Sequence, residues 1–137
     1  MIVATDVAWL GGIIDGEGCV TAHKNSFRSI SFRVTIESVS VAMIDRVGDI
    51  LRQCDVEYRV EGPIWRERST RHSHRIRIDR KQAVQRLCDL VLPYSVVKKA
   101  EPVLIRSYLD KAVGTYYSAT DEDLKILVTL RELKRVA

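Results

Sequence analysis

The sequence predicts an α+β domain, and three observations carry that expectation. A glycine-rich apolar run near the N-terminus has helical spacing, two pairs of segments alternate apolar and polar residues, and amphipathic stretches of 3.6-residue period lie between and after them. In chain order this gives αββαββ followed by helices. At 137 residues the chain is one domain, long enough to build a core without staples.

The first element holds the run W-L-G-G-I-I-D-G-E-G-C-V from Trp9 to Val20 and is expected to be a helix with Thr5 or Asp6 as its N-cap. Val7, Leu10 and Ile14 fall on one stripe and face a core, while Ala8, Gly12 and Gly16, four apart, share a neighbouring stripe. An interior glycine costs a helix about 1 kcal/mol relative to alanine. Gly11, Gly12 and Gly16 therefore need a purpose, and a stripe without side chains would let a second helix approach closely. Asp15 and Glu17 arrive at the last turn, where the macrodipole opposes a carboxylate and where Gly18 would end the helix. Acids in that place suggest a cation. The same residues also fit a plain glycine-rich helix contact, with Asp15 and Glu17 as solvated end charges.

After Gly18 the period changes to two. Cys19 to Lys24 reads as a strand, Asn25 to Arg28 as a turn, and Ser29 to Glu37 as a second strand with Ile30, Phe32, Val34 and Ile36 on one face. Ser31, Arg33, Thr35 and Glu37 occupy the other. Ser38 or Ser40 caps a helix to about Gln53, with Val41, Ile44, Val47 and Leu51 at core spacing. Alternation resumes from Val56 to Glu61, with Tyr58 and Val60 opposite Glu57, Arg59 and Glu61; Gly62-Pro63 then bends the strand or forces a restart at Ile64. Arg71 to Asp79 is the fourth strand, placing His72, His74, Ile76 and Ile78 against Arg71, Ser73, Arg75 and Arg77. Arg80 to Leu92 forms an amphipathic helix closed by Pro93. A further helix starts between Lys99 and Pro102 and runs to Gly114, and Thr120 caps a last one with Asp121, Glu122 and Asp123 in its first turn.

The net charge of +4 is compatible with nucleic acid without being diagnostic of it. Between Arg59 and Lys81, however, eight basic residues face three acids. Because the arginines alternate with apolar residues they share a face, and arginine is the usual reader of guanine in a major groove. Three widely spaced cysteines, Cys19, Cys54 and Cys88, form no metal or disulfide pattern and point to a reducing compartment. With no transmembrane stretch and no secretory pattern, a soluble intracellular protein without a membrane partner is expected. His72 and His74 form an H-x-H on the apolar side of their strand, which without a third ligand reads as packing. Nothing matches a Ser-His-Asp or Cys-His nucleophile, or a P-loop.

The run L-G-G-I-I-D-G-E-G, Leu10 to Gly18, resembles the LAGLIDADG motif of homing endonucleases, with Gly11 for the first Ala, Ile13 for Leu, Gly16 for the second Ala and Glu17 for the second Asp. The resemblance implies the αββαββα fold of that family, in which a curved four-stranded antiparallel sheet forms a DNA-binding saddle. It implies further that two motif helices pack across a twofold axis. Since the chain carries one motif, it would act as a homodimer through Ala8, Gly11, Gly12, Asp15 and Gly16. By the same resemblance the Glu17 carboxylate and the Gly16 carbonyl bind Mg²⁺, for which Mn²⁺ or Ca²⁺ could substitute in binding. Arg33, where the family often carries an amide, and Lys98 stand by the attacking water. The implied chemistry is metal-assisted phosphodiester hydrolysis, cutting both strands of a long, near-palindromic double-stranded DNA site. Arg33, Arg59, Arg75 and Arg77 would line the saddle, while Lys24 and Arg28 in one hairpin and Arg66, Arg68 and Arg71 in the other meet phosphates.

Two rival readings remain at this level. One is a protein of the same fold without cleavage, either a maturase-like RNA cofactor or a DNA-binding regulator. The other is a basic α/β interaction domain whose glycine helix only dimerises.

Overall fold

Alternation in the strands and 3.6-residue spacing in the helices translate into α1 (Ala4–Glu17), β1 (Gly18–Lys24), β2 (Ile30–Ser38), α2 (Val41–Gln53), β3 (Arg59–Ile64), β4 (Ser73–Ile78), α3 (Lys81–Val91), α4 (Ala100–Lys111) and α5 (Asp121–Val136). The computed structural model describes residues 2–25, 29–68, 70–97, 99–112 and 117–136. The strands form one antiparallel sheet of order β1-β2-β4-β3, so two hairpins meet along a central β2–β4 ladder. Along β2, Ile30, Phe32, Val34 and Ile36 are buried and the residues between them are half-buried. One face of the sheet is thus core, covered by helices; the other is polar, as the alternation requires.

α1 packs on the sheet between α2 and α3 through Val7, Leu10 and Ile14, all buried. Its start differs from the expectation. Val3 is the N-cap and makes no side-chain capping bond, so Thr5 and Asp6 lie inside the helix. Asp6 is drawn away from its own backbone by Arg46 of α2, 3.1 Å distant, whose guanidinium also sits 5.0 Å from the Trp9 ring centre. Gly18 ends the helix by a different device from a left-handed cap: its φ of −75° and ψ of 152° are extended. Its N–H donates to the Ile14 carbonyl, and a Cβ there would lie 2.7 Å from that oxygen. Glycine is required because the helix passes into β1 without an intervening loop.

Ser40 is the N-cap of α2, its hydroxyl accepting from Met43 N–H. β3 starts later than expected and continues through the cis Gly62-Pro63 peptide with a bulge between Glu61 and Ile64. Val60 is exposed, β3 being the outer strand of its hairpin. A single 3-10 turn, Leu92–Tyr94, follows α3. α4 ends at Lys111; Gly114, its expected end, lies outside the described residues. Thr120 and Asp123 then cap α5 reciprocally, Asp123 N–H donating to Thr120 Oγ1 at 3.1 Å and Thr120 N–H to Asp123 Oδ2 at 3.0 Å. Asp123 is 2% exposed and also accepts from the Tyr117 hydroxyl at 2.7 Å and Lys111 at 3.1 Å. Those donors, Tyr117 first, hold its carboxyl well below the usual range, and the same bond pushes the Tyr117 phenol up to about 12.

Candidate functional site

With Val7, Leu10 and Ile14 buried, the remaining faces of α1 sort themselves by what they meet. Gly11 turns into the protomer: a Cβ there would stand 2.9 Å from Tyr94 Cβ, so its missing side chain admits the 3-10 turn. This corrects its expected place at a surface shared with a second copy. Gly12 and Gly16 behave differently, for both are exposed and neither would bring a Cβ within 4 Å of any described atom. Ala8, half-buried, completes the open stripe. Asp15 accepts from the backbone N–H groups of Val96 and Val97 at 2.7 and 3.3 Å. The motif's first acid therefore ties the segment after the 3-10 turn to the last turn of α1, and the side chains of Val96 and Val97 stand exposed beside it.

Glu17 is the last helical residue, exposed, and the next residue opens the sheet by pairing with Ile36. Its carboxylate stands where the open stripe of α1 meets the polar sheet face, which begins at Cys19. The donors gathered at that end, the Glu17 carboxylate and the Gly16 carbonyl in the unpaired last turn, are hard oxygens that suit Mg²⁺ or Ca²⁺ over softer metals. One carboxylate does not complete a site. Among the described residues no group of three or more His, Cys, Asp or Glu side chains converges on a metal position. His72, expected on the apolar side, is exposed ahead of β4 and packs edge-on against both Trp65 and the half-buried His74. The cysteines are unlinked; Cys54 and Cys88 are buried, and burial pushes the Cys88 thiol up to about 12.

The polar sheet face carries rows of opposed side chains set by register. Cys19 meets Thr35, Thr21 meets Arg33, Thr35 meets Arg77, Glu37 meets Arg75, Arg59 meets Arg77 and Glu61 meets Arg75. The structure thus brings Arg33, Arg59, Arg75 and Arg77 together, and it binds three of them to acids. Glu37 accepts from Arg75 Nε and Nη2 at 3.2 and 3.1 Å and from Ser73 Oγ at 2.9 Å. It also takes a fork from Arg66, at 3.2 and 2.7 Å, which holds its carboxyl below the usual range. Arg66, expected to meet phosphate from the hairpin turn, is therefore folded back onto the sheet. Asp79 joins Arg59 at 2.5 Å and Arg77 at 2.9 Å. Glu61 lies 3.7 and 3.6 Å from Nη1 of Arg75 and Arg77.

Arg33 stands apart: its Nε is shielded from solvent and has no hydrogen-bond partner among the described residues. Lys24, Arg68 and Arg71 are exposed at the hairpin ends. Arg28 and Lys98 lie outside the described residues. Sequence reasoning did not foresee the pairing of the arginines. Its signal was present in Glu37 and Glu61, which alternate onto the same face.

No protein-family model and no curated protein matches the chain by sequence. Solved structures do match it. The homing endonuclease I-CvuI, in complex with its target in the presence of calcium, superposes with a TM-score of 0.72 at 18% identity, over 95% of this chain and 82% of that one. The archaeal intron-encoded homing endonuclease I-Vdi141I, complexed with DNA, gives 0.67 at 15% identity, over 97% and 84%. The LAGLIDADG meganuclease I-AabMI, bound to uncleaved DNA, gives 0.63 at 19% identity, over 90% of this chain but 42% of its own. With a glycine-striped helix running into a four-stranded antiparallel sheet, the chain has the LAGLIDADG homing endonuclease fold.

Proposed function

We propose that the protein is a site-specific DNA endonuclease that acts as a homodimer and hydrolyses phosphodiester bonds with the help of Mg²⁺. The observation that carries this reading is the path of α1. Its one unpacked stripe, Ala8, Gly12 and Gly16, leads to an exposed carboxylate at the margin of an arginine-bearing sheet face. A second copy laid on that stripe would bring two Glu17 side chains together and set two sheets side by side over one duplex. Exposed Val96 and Val97 next to the last turn add apolar surface for the same contact.

In this reading Glu17 and the Gly16 carbonyl hold a divalent cation, whose chemistry is to lower the pKa of bound water and stabilise the leaving oxygen. Lys98 would stabilise the negative charge that develops on phosphate during in-line attack. Arg33, whose Nε is uncommitted, orients the water or the phosphate. Exposed Lys24, Arg68 and Arg71, together with Arg28, engage the DNA backbone, while Arg59, Arg75 and Arg77 face base edges.

Incubation with a randomised duplex library and Mg²⁺, followed by sequencing of broken ends, tests the proposal. The expected outcome is one enriched, near-palindromic cut site, with cutting abolished and binding retained in Glu17→Gln. Cutting unchanged in Glu17→Gln refutes the metal role. Binding without cutting by the wild type makes the protein a regulator of this fold.

A further inference from the structure

Three carboxylates lie on the polar sheet face, and each adds repulsion against a phosphate brought to it. Two of them are accounted for by what they hold. Glu37 accepts from Arg66, Arg75 and Ser73 and fastens the second hairpin to the central ladder. Asp79 lies beside a like-charge pair, Arg59 directly opposite Arg77, which would destabilise the β3–β4 ladder. Its Oδ2 accepts from both guanidinium groups and relieves that repulsion. Glu61 does neither. Its oxygens stand beyond hydrogen-bond reach of Arg75 and Arg77, at 3.7 and 3.6 Å; Oε1 is shielded from solvent and has no hydrogen-bond partner among the described residues, while the side chain as a whole is 38% exposed. A carboxylate has about four lone-pair sites; with Oε1 shielded, Oε2 is the oxygen of Glu61 left to accept from a base.

The two flanking arginines are held from behind. Arg75 gives Nε and Nη2 to Glu37, and Arg77 gives Nε to Asp79, so each presents Nη1 on the side of Glu61. The result is an acceptor between two fixed donors. In a major groove, cytosine offers an N4 donor while its partner guanine offers the O6 and N7 acceptors. An A·T pair fits less well, because thymine presents one acceptor and a methyl group.

We propose that Glu61 is a specificity-determining residue that accepts a hydrogen bond from cytosine N4, with Arg75 and Arg77 directed at the paired guanine. This rests on the polar sheet face being the DNA interface. Because the arginines are oriented before binding, less side-chain freedom is lost on recognition.

Selection of bound duplexes from a randomised library without divalent cation, for wild type, Glu61→Ala and Glu61→Gln, tests it. Circular dichroism confirms that each variant is folded. The expected wild-type profile contains a C·G pair at a position where Glu61→Ala loses discrimination by roughly five- to 150-fold, with other positions unchanged. Glu61→Gln should move that position toward A·T, because an amide pairs with both adenine N6 and N7. A uniform gain in affinity for all sequences in Glu61→Ala would show an acid that only repels phosphate, and would overturn the proposal. So would an unchanged profile in both variants. A wild type that enriches no sequence removes the interface reading itself, whereas an enriched site indifferent to Glu61 removes only the role of Glu61.

Discussion

Gly11 and Gly12 are neighbours in one helix, yet the same substitution should affect them in opposite directions. Replacing either with alanine gains about 1 kcal/mol of helix propensity. At Gly12 nothing described lies within 4 Å of the added Cβ, so the protomer should keep that gain. At Gly11 the new methyl would sit 2.9 Å from Tyr94 Cβ and 3.7 Å from the Val91 carbonyl. Carbon atoms rest about 3.5–4.0 Å apart, so the 3-10 turn must retreat, and overpacking of this kind costs about 1–3 kcal/mol. Gly11→Ala should therefore range from neutral to about 2 kcal/mol destabilising, against about 1 kcal/mol stabilising for Gly12→Ala.

Urea unfolding followed by far-ultraviolet circular dichroism measures this difference. It should be run over a range of protein concentrations, because self-association raises apparent stability by mass action. The dilute limit reports the protomer. Self-association supplies the second half of the test: Gly12→Leu, which fills the stripe, should elute as a monomer on size-exclusion chromatography where the wild type elutes as a dimer. If Gly12→Ala destabilises the dilute protomer as much as Gly11→Ala, the stripe is not open. A Gly12→Leu protein that dimerises like the wild type places the contact between copies elsewhere.

Two further outcomes follow from the charged groups. The Asp123 carboxyl is held below its ordinary value in the folded protein, so its stabilising contribution is complete above the unfolded pKa of about 3.9 and is lost as pH falls through the lower folded value. Asp123→Asn should cost about 1–3 kcal/mol at neutral pH through its lost charged bonds, and the gap from wild type should narrow in denaturation series taken below about pH 4; a gap independent of pH refutes the assignment. In DNA binding, Lys24→Ala should reduce the slope of log K against log salt by about 0.9. Arg75→Ala, already neutralised by Glu37, should leave that slope nearly unchanged while lowering discrimination among sequences, and equal slopes lost in both variants would contradict the sorting.

The element order was legible in the sequence because burial follows period: Ile30, Phe32, Val34 and Ile36 alternate, Ile44, Val47 and Leu51 recur at helical spacing, and all seven are buried, whereas Val41, expected with them, stands exposed in the first turn of α2. The glycine-striped helix and its terminal acid were legible for a related reason, since few other requirements place glycines four apart inside a helix. Boundaries were less so. Whether Asp6 caps α1 or joins it depends on Arg46, 40 residues away, and whether Gly18 adopts a left-handed turn depends on how directly β1 follows. Such choices rest on tertiary partners, which local chemistry does not reveal.

The division of labour among the arginines was illegible for a deeper reason. Alternation assigns Arg33, Arg59, Arg75 and Arg77 to one face, but which of them meets an acid depends on register between strands distant in sequence. One residue of slip in β2 against β4 would separate Glu37 from Arg75 and send one of them to the apolar side. The observed register gives Arg75 and Arg77 fixed orientations and leaves Arg33 without an acid among the described residues. Counting basic residues therefore overstates what this face offers to phosphate. If the face meets DNA as proposed, its paired arginines would exchange an internal carboxylate for a DNA acceptor only where a base edge supplies comparable geometry, so the acids that weaken non-specific attraction would also sharpen the choice among sequences.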